Sequence, residues 1–222
     1  MWGNASATVS SGTGYNGSGG TITIGNGATI INDGSSSALG PVNPYGDNQA
    51  VHATGGGTIT IGDQATIQTV GGTSGRNHAV VAGLHIADRT IGTVRIGREA
   101  DITADGNNSW GLGAYLNGSL LAVGEESKIT VNGQSGGIGA AAVIGGRIEI
   151  GAGSQILVNG DDASGLTADS QNFPRPLYYG PSTIDAGDRV SVTTTGDRST
   201  GLTAMNYNGY GHGTETTLAP EH

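Results

Sequence analysis

The chain has 222 residues, 43 of them glycine and none cysteine, with 5% aromatic and 12% charged residues. Nine basic against 18 acidic residues give a net charge of -9. The absence of cysteine excludes a disulfide scaffold, cysteine-ligated zinc, iron–sulfur clusters and thiol catalysis, and an acidic chain with a single lysine argues against nucleic acid, which is bound by cationic neutralisation of phosphate. Glycine at this level, without a collagen register, leaves disorder or an ordered repeat as alternatives.

Residues 1–18 fit no repeat and read as a partial coil or cap. Met1-Trp2-Gly3-Asn4-Ala5-Ser6 has neither the basic start nor the apolar core of a signal peptide. No run in the chain approaches the 18 apolar residues of a transmembrane helix, and no C-terminal series of long amphipathic strands suggests a membrane barrel. Membrane insertion by this segment is therefore not expected.

Between residues 19 and 204 the chain repeats. Gly20-Thr21-Ile22-Thr23-Ile24-Gly25 recurs as Gly57-Thr58-Ile59-Thr60-Ile61-Gly62 and as Gly92-Thr93-Val94-Arg95-Ile96-Gly97. Weaker copies end at Gly124, Gly151 and Gly187. Five residues after each closing glycine comes a β-branched residue: Ile30, Ile67, Ile102, Ile129, Ile156 or Val192. Nine residues after it comes another glycine: Gly34, Gly71, Gly106, Gly133, Gly160 or Gly196.

A third block follows in each copy: Val51-His52-Ala53, Val80-Val81-Ala82, Leu112-Gly113-Ala114, Ile138-Gly139-Ala140, Leu166-Thr167-Ala168 and Leu202-Thr203-Ala204. Small residues precede it at Ala50, Ala79, Gly111, Gly137, Gly165 and Gly201. The closing glycines 25, 62, 97, 124, 151 and 187 are spaced by 37, 35, 27, 27 and 36 residues, so the basic unit is 27 residues with insertions in three copies.

Each unit holds three short runs of period-two apolar residues separated by glycine, and no segment carries a 3.6-residue period. Three strands and three turns per unit predict an all-β parallel solenoid of triangular cross-section with about six coils. Columns through Ile22, Ile24, Ile30 and Val51 are expected to face inward, with glycines at the corners supplying positive φ. The recurrence of one apolar offset six times disfavours disorder. Residues 205–222 read as a C-terminal loop or partial coil.

The G-T-I-T-I-G cadence, with the A-T-I and L-x-A runs after it, resembles the passenger domains of bacterial autotransporters (type V secretion) of the pertactin-like and AIDA-like kind. The resemblance covers roughly residues 19–204 and lies in cadence rather than in a diagnostic signature. It implies a right-handed parallel β-helix displayed at the bacterial cell surface, extracellular, and carried there by a C-terminal β-barrel translocator elsewhere in the full-length protein. Missing cysteine and an acidic pI of 4.7 fit that family. Its serine-protease members carry a G-D-S-G-S nucleophile motif, which this sequence lacks. The function expected on this basis is a non-catalytic adhesin or structural stalk. Its partner would be a host or bacterial surface glycan or protein, with self-association as a further mode, and no cofactor is expected.

Four insertions are the functional lead, because binding residues concentrate on loops of a rigid scaffold. Residues 35–49 precede the third run of the first unit. Residues 83–91, 169–181 and 205–213 follow the third run of units two, five and six. The last two gather Phe173, Tyr178, Tyr179, Tyr207 and Tyr210, whose rings form a candidate ligand-binding patch. The bland alternative is that these loops lie on the solenoid wall or cap it.

Asp161 and Asp197 share one offset in adjacent units and should sit about 5 Å apart, a separation that suits a glycosidase pair or a calcium ligand set. Asp162 and Arg198 share the next offset and should pair as a solvated surface bridge. A carbohydrate-active β-helix, a hydrolase or lyase using Asp161, Asp162 and Asp197, is thus the alternative function. His52, His78, His85, His212 and His222 show no metal-binding spacing and read as exposed loop histidines. The outward threonines Thr21, Thr23, Thr58 and Thr60 do not continue into an ice-binding row, since Arg95, Leu120, Arg147 and Asp185 occupy later equivalents.

Overall fold

The computed structural model describes residues 7–9, 19–33, 48–70, 77–83, 90–170, 180–205 and 215–218, with backbone only for the first and last of these. Among them every regular element is a strand. The order is β1 (Ala7–Val9), then a first coil of β2 (Thr21–Ile24), β3 (Thr29–Asp33) and β4 (Asn48–Ala53). The second coil is β5 (Gly57–Ile61), β6 (Thr66–Val70) and β7 (Asn77–Ala82); the third is β8 (Gly92–Ile96), β9 (Asp101–Asp105) and β10 (Trp110–Tyr115). The fourth is β11 (Leu120–Val123), β12 (Lys128–Ser135) and β13 (Ile138–Val143); the fifth is β14 (Arg147–Ile150), β15 (Gln155–Asp161) and β16 (Ser164–Asp169). The sixth is β17 (Thr183–Ala186), β18 (Ser191–Thr195) and β19 (Thr200–Met205), followed by β20 (Glu215–Leu218).

Each strand pairs in parallel with its equivalent in the next coil, so three sheets run the length of the molecule. Sheet 1 is β2-β5-β8-β11-β14-β17-β20, sheet 2 is β3-β6-β9-β12-β15-β18, and sheet 3 is β1-β4-β7-β10-β13-β16-β19. The fold is the three-sided parallel β-helix expected from the repeat. β1 and β20 add a strand each to sheets 3 and 1, from segments whose sequence fits the repeat poorly.

The inward columns follow the expected offsets. Ile59, Val94, Leu121, Ile148 and Ile184 are fully buried in sheet 1, and Ile67, Ile102, Ile129 and Ile156 in sheet 2. Burying each such side chain contributes roughly 1.5–3 kcal/mol, and this column-on-column packing offsets the entropy of ordering the chain. Half-buried Ile22 and Ile24 pack against the same core at one end of the described coils. At the other end Leu202 is exposed.

In the fourth coil the third run is displaced from its expected register. Leu112 and Leu166 both pair with Ala140, so the equivalent block is Ala140-Ala141-Ala142, not Ile138-Gly139-Ala140. Ile138 instead pairs with Trp110 and Ser164. The small-residue column correspondingly passes through Gly139 rather than Gly137. A two-residue slip preserves period-two alternation, so hydrophobic pattern alone cannot detect it.

That column explains its own composition. A Cβ on Gly111 would lie 2.5 Å from Ile129 Cγ2 and 2.7 Å from the Gly139 carbonyl oxygen, and one on Gly139 would lie 2.5 Å from Ile156 Cγ2. Gly111 therefore faces the core, and so does its neighbour Leu112. Ala50 and Val51, and Ala79 and Val80, repeat this pair of consecutive core residues. Alternation is broken at this point, which turns the rest of each sheet 3 strand to the opposite sense.

Corner glycines Gly106, Gly160 and Gly196 have the expected positive φ, whereas the closing glycines serve a different purpose. Gly62, Gly97, Gly124, Gly151 and Gly187 are not among the residues with positive φ. They are needed for close approach along the axis: a Cβ on Gly124 would lie 2.6 Å from both Arg98 N and Gly97 C in the coil before. Positive φ falls two residues later, at Gly27, Gln64, Glu99, Glu126, Gly153 and Arg189. The backbone N–H groups of the first five donate to carbonyls of the next coil at 2.7–2.9 Å, so the inter-coil ladder continues around the corner.

Candidate functional site

The corner between sheets 1 and 2 is four residues long in every coil, at 25–28, 62–65, 97–100, 124–127, 151–154 and 187–190. Length varies only where the chain enters or leaves sheet 3. The long connections run from β1 to β2, β3 to β4, β6 to β7, β7 to β8, β16 to β17 and β19 to β20. All the inserted chain therefore borders one face of the prism. The expected patch residues Phe173, Tyr178, Tyr179, Tyr207 and Tyr210 lie outside the described residues, as do His85, His212 and His222. Their points of departure are adjacent: Asp169 pairs with Met205, and Ser170 N donates to the Met205 carbonyl at 3.0 Å.

The outer face of sheet 3 carries a ring cluster that the repeat pattern does not reveal. Trp110 and Tyr115, at opposite ends of β10, stack with centroids 5.4 Å apart and planes 16° apart. Both rings close over Gly113, where an added Cβ would lie 3.3 Å from Trp110 Cε3 and 3.5 Å from Tyr115 Cε2. His78, paired with Trp110 from the coil before, packs its ring at 4.9 Å. Around them Val81 and Ala141 are buried although they lie outside the central core cluster. The signal in the sequence is Trp110-Gly111-Leu112-Gly113-Ala114-Tyr115 itself, two rings separated by residues too small to shield them.

His52 and His78 are not exposed loop residues. Both sit in sheet 3 strands and are buried, at 8% and 1% exposure. His52 Nε2 lies 3.3 Å from the Gly83 carbonyl. Burial pushes the His52 pKa below its ordinary value; the Gly83 carbonyl opposes this and the neighbouring His78 adds to it. A sequence pattern built on apolar offsets has no position for an outward histidine that the fold then covers.

The corner carboxylates stack as their offsets require. Asp161 Oδ1 accepts the backbone N–H of Asp197 at 2.9 Å. Arg198 donates from Nε and Nη2 to the two carboxylate oxygens of Asp162, both at 2.7 Å, and these bonds hold the Asp162 carboxyl below its usual range. Asp161 and Asp162 are thus engaged in joining coil five to coil six. Among the described residues no group of three or more His, Asp or Glu is placed to hold a metal ion. Comparison with protein-family models, curated proteins and solved structures finds no match to the chain.

Proposed function

We propose that this chain is a surface-displayed, non-catalytic passenger segment of the autotransporter kind, acting as an adhesin or structural stalk. It is extracellular, at the bacterial cell surface, and contacts a host or bacterial surface glycan or protein through the inserted segments. The observation that carries this reading is the confinement of every long connection to the borders of sheet 3, against an invariant corner opposite. A rigid shaft with variable chain on one side is how a scaffold presents contact residues. The engagement of Asp161 and Asp162 in inter-coil bonds supports a structural rather than hydrolytic role for that corner.

The test is binding of the purified chain to cell surfaces and to a glycan array, with segments 171–179 and 206–214 intact and replaced by short Gly-Ser links. Loss of binding with unchanged β-sheet circular dichroism is the expected result. Equal binding by both forms would overturn the assignment of contact to the insertions, and cleavage of a polysaccharide that is lost on replacing Asp161 and Asp197 would favour the enzymatic alternative.

A further inference from the structure

The outer face of sheet 1 has no insertions, and it is not uniform. Its two outward columns are Thr21, Thr58, Thr93, Leu120, Arg147, Thr183 and Thr23, Thr60, Arg95, Ala122, Glu149, Asp185. Ala122 places a single methyl group between the long side chains of Arg95 in the coil before and Glu149 in the coil after. The result is an open depression of about 570 Å³, floored by Ala122 and rimmed by Arg95, Arg147, Glu149 and Asp185. It is shallow, closer to an open surface than to an enclosed cavity, and so suits an extended ligand lying along the face.

Its charges are sorted. At one end Arg147 bridges two carboxylates, with Nε 2.9 Å from Glu149 Oε1 and Nη2 2.6 Å from Asp185 Oδ2. Glu149 Oε2 and Asp185 Oδ1 have no donor among the described residues, and both residues line the depression. At the other end stands Arg95. Among the described arginines, Arg98, Arg147, Arg189 and Arg198 each have an ion pair, and Arg95 has none. Arg95 and Glu149 are two coil steps apart, roughly 10 Å.

We infer that this depression binds a carboxylated oligosaccharide, a uronate-type glycan, with the sugar carboxylate on Arg95 and sugar hydroxyls donating to Glu149 and Asp185. A guanidinium fork matches a carboxylate bidentately. Ionised carboxylates only accept, and so select a hydroxyl-bearing ligand. Half-buried Ala122 between them offers an apolar surface to a pyranose face. A span of roughly 10 Å suits two linked rings. A peptide adding as a strand is disfavoured because β8, β11, β14 and β17 are already paired on both sides. A polyphosphate is disfavoured because a single unpaired cation faces two carboxylates. No described residue of the inserted segments lines the depression, so it can fail or stand independently of the reading above.

The test is calorimetric titration of the full chain with tetragalacturonate and a hyaluronan tetrasaccharide, against the carboxyl-reduced neutral forms of each. Binding of at least one acidic form, with its reduced form at least tenfold weaker, is expected. Arg95→Ala should weaken it at least tenfold, and Ala122→Phe, which fills the floor, should do the same with unchanged circular dichroism. Replacing segments 171–179 and 206–214 should leave it unchanged. Equal binding of acidic and reduced forms, insensitivity to Arg95→Ala, failure of both acidic forms to bind, or equally tight capture of a short polyglutamate would each overturn the assignment.

Discussion

Asn159 Nδ2 donates to the side-chain oxygen Asn132 Oδ1 in the coil before it, at 2.8 Å. The same arrangement extends in both directions: Asn132 Nδ2 donates to Asp105 Oδ1 at 2.8 Å, and Thr195 Oγ1 donates to Asn159 Oδ1 at 2.9 Å. Four coils are joined by side chains along one line, parallel to the backbone ladder. An asparagine can sustain such a line because it carries a donor and an acceptor on one planar group.

Asn159→Ala is therefore expected to cost about 1 kcal/mol, the net worth of an ordinary hydrogen bond in a partly solvated setting. Asn159→Asp keeps the shape but turns an acceptor toward the Asn132 oxygen. It should destabilise at least as much, since Asn132 cannot flip without losing Asp105. Urea unfolding of both variants checks this; an Asp variant as stable as the parent would contradict it.

The two roles of glycine can be separated by a matched pair of substitutions. Gly124→Ala drives a methyl group into the backbone of Gly97 and Arg98 and should destabilise by about 1–3 kcal/mol. Gly25→Ala meets nothing within 4 Å. Its only effect is a less flexible unfolded chain, so it should be neutral or stabilise by up to about 1 kcal/mol. Thermal melts of the two, compared with the parent, give the answer; similar losses in both would refute the close-approach account.

Stability should fall in mild acid. The His52 pKa is depressed in the folded protein, chiefly by burial. Below the unfolded-state value of about 6.5 the unfolded chain takes up a proton that the native state does not. The stabilising contribution is thus complete above that pH and is lost as pH falls toward the folded value. Melting temperatures recorded from pH 8 to pH 5 should decline below about 6.5, and His52→Gln should flatten the decline. A parent and variant with parallel pH profiles would show that His52 is not responsible.

Much of this architecture is legible in the sequence because a solenoid writes its geometry as fixed offsets. Ile22, Ile59, Val94, Leu121, Ile148 and Ile184 are one column in both the pattern and the structure. The pattern misplaces Ile138 because a slip of two residues leaves inside and outside unchanged. It does not separate corner glycines with positive φ, such as Gly106 and Gly160, from the closing glycines, because composition cannot distinguish a residue that needs positive φ from one that needs empty space beside it. The ring cluster escapes the pattern for a related reason. The consecutive core pair Gly111–Leu112 reverses the facing of the residues after it, so Gly113 lies beneath Trp110 and Tyr115 instead of in the interior. In the sequence Arg95 is only an interruption of threonines. Its significance depends on Ala122 being small and on its lack of an ion pair, and both need coordinates.

The invariant corner has a consequence for valency. With no insertion to reset the pitch, successive sheet 3 strands keep one azimuth, and the departure points of the inserted segments fall on two parallel lines up the shaft, one along each border of sheet 3. The first and last described coils are five steps apart, roughly 24 Å. A receptor small enough to meet one departure point cannot reach the far one, whereas a long polymer or an array of copies can engage several together. Affinity measured with a monomeric ligand would then understate the grip on a surface, and the shortfall would scale with effective concentration rather than with the strength of any one contact.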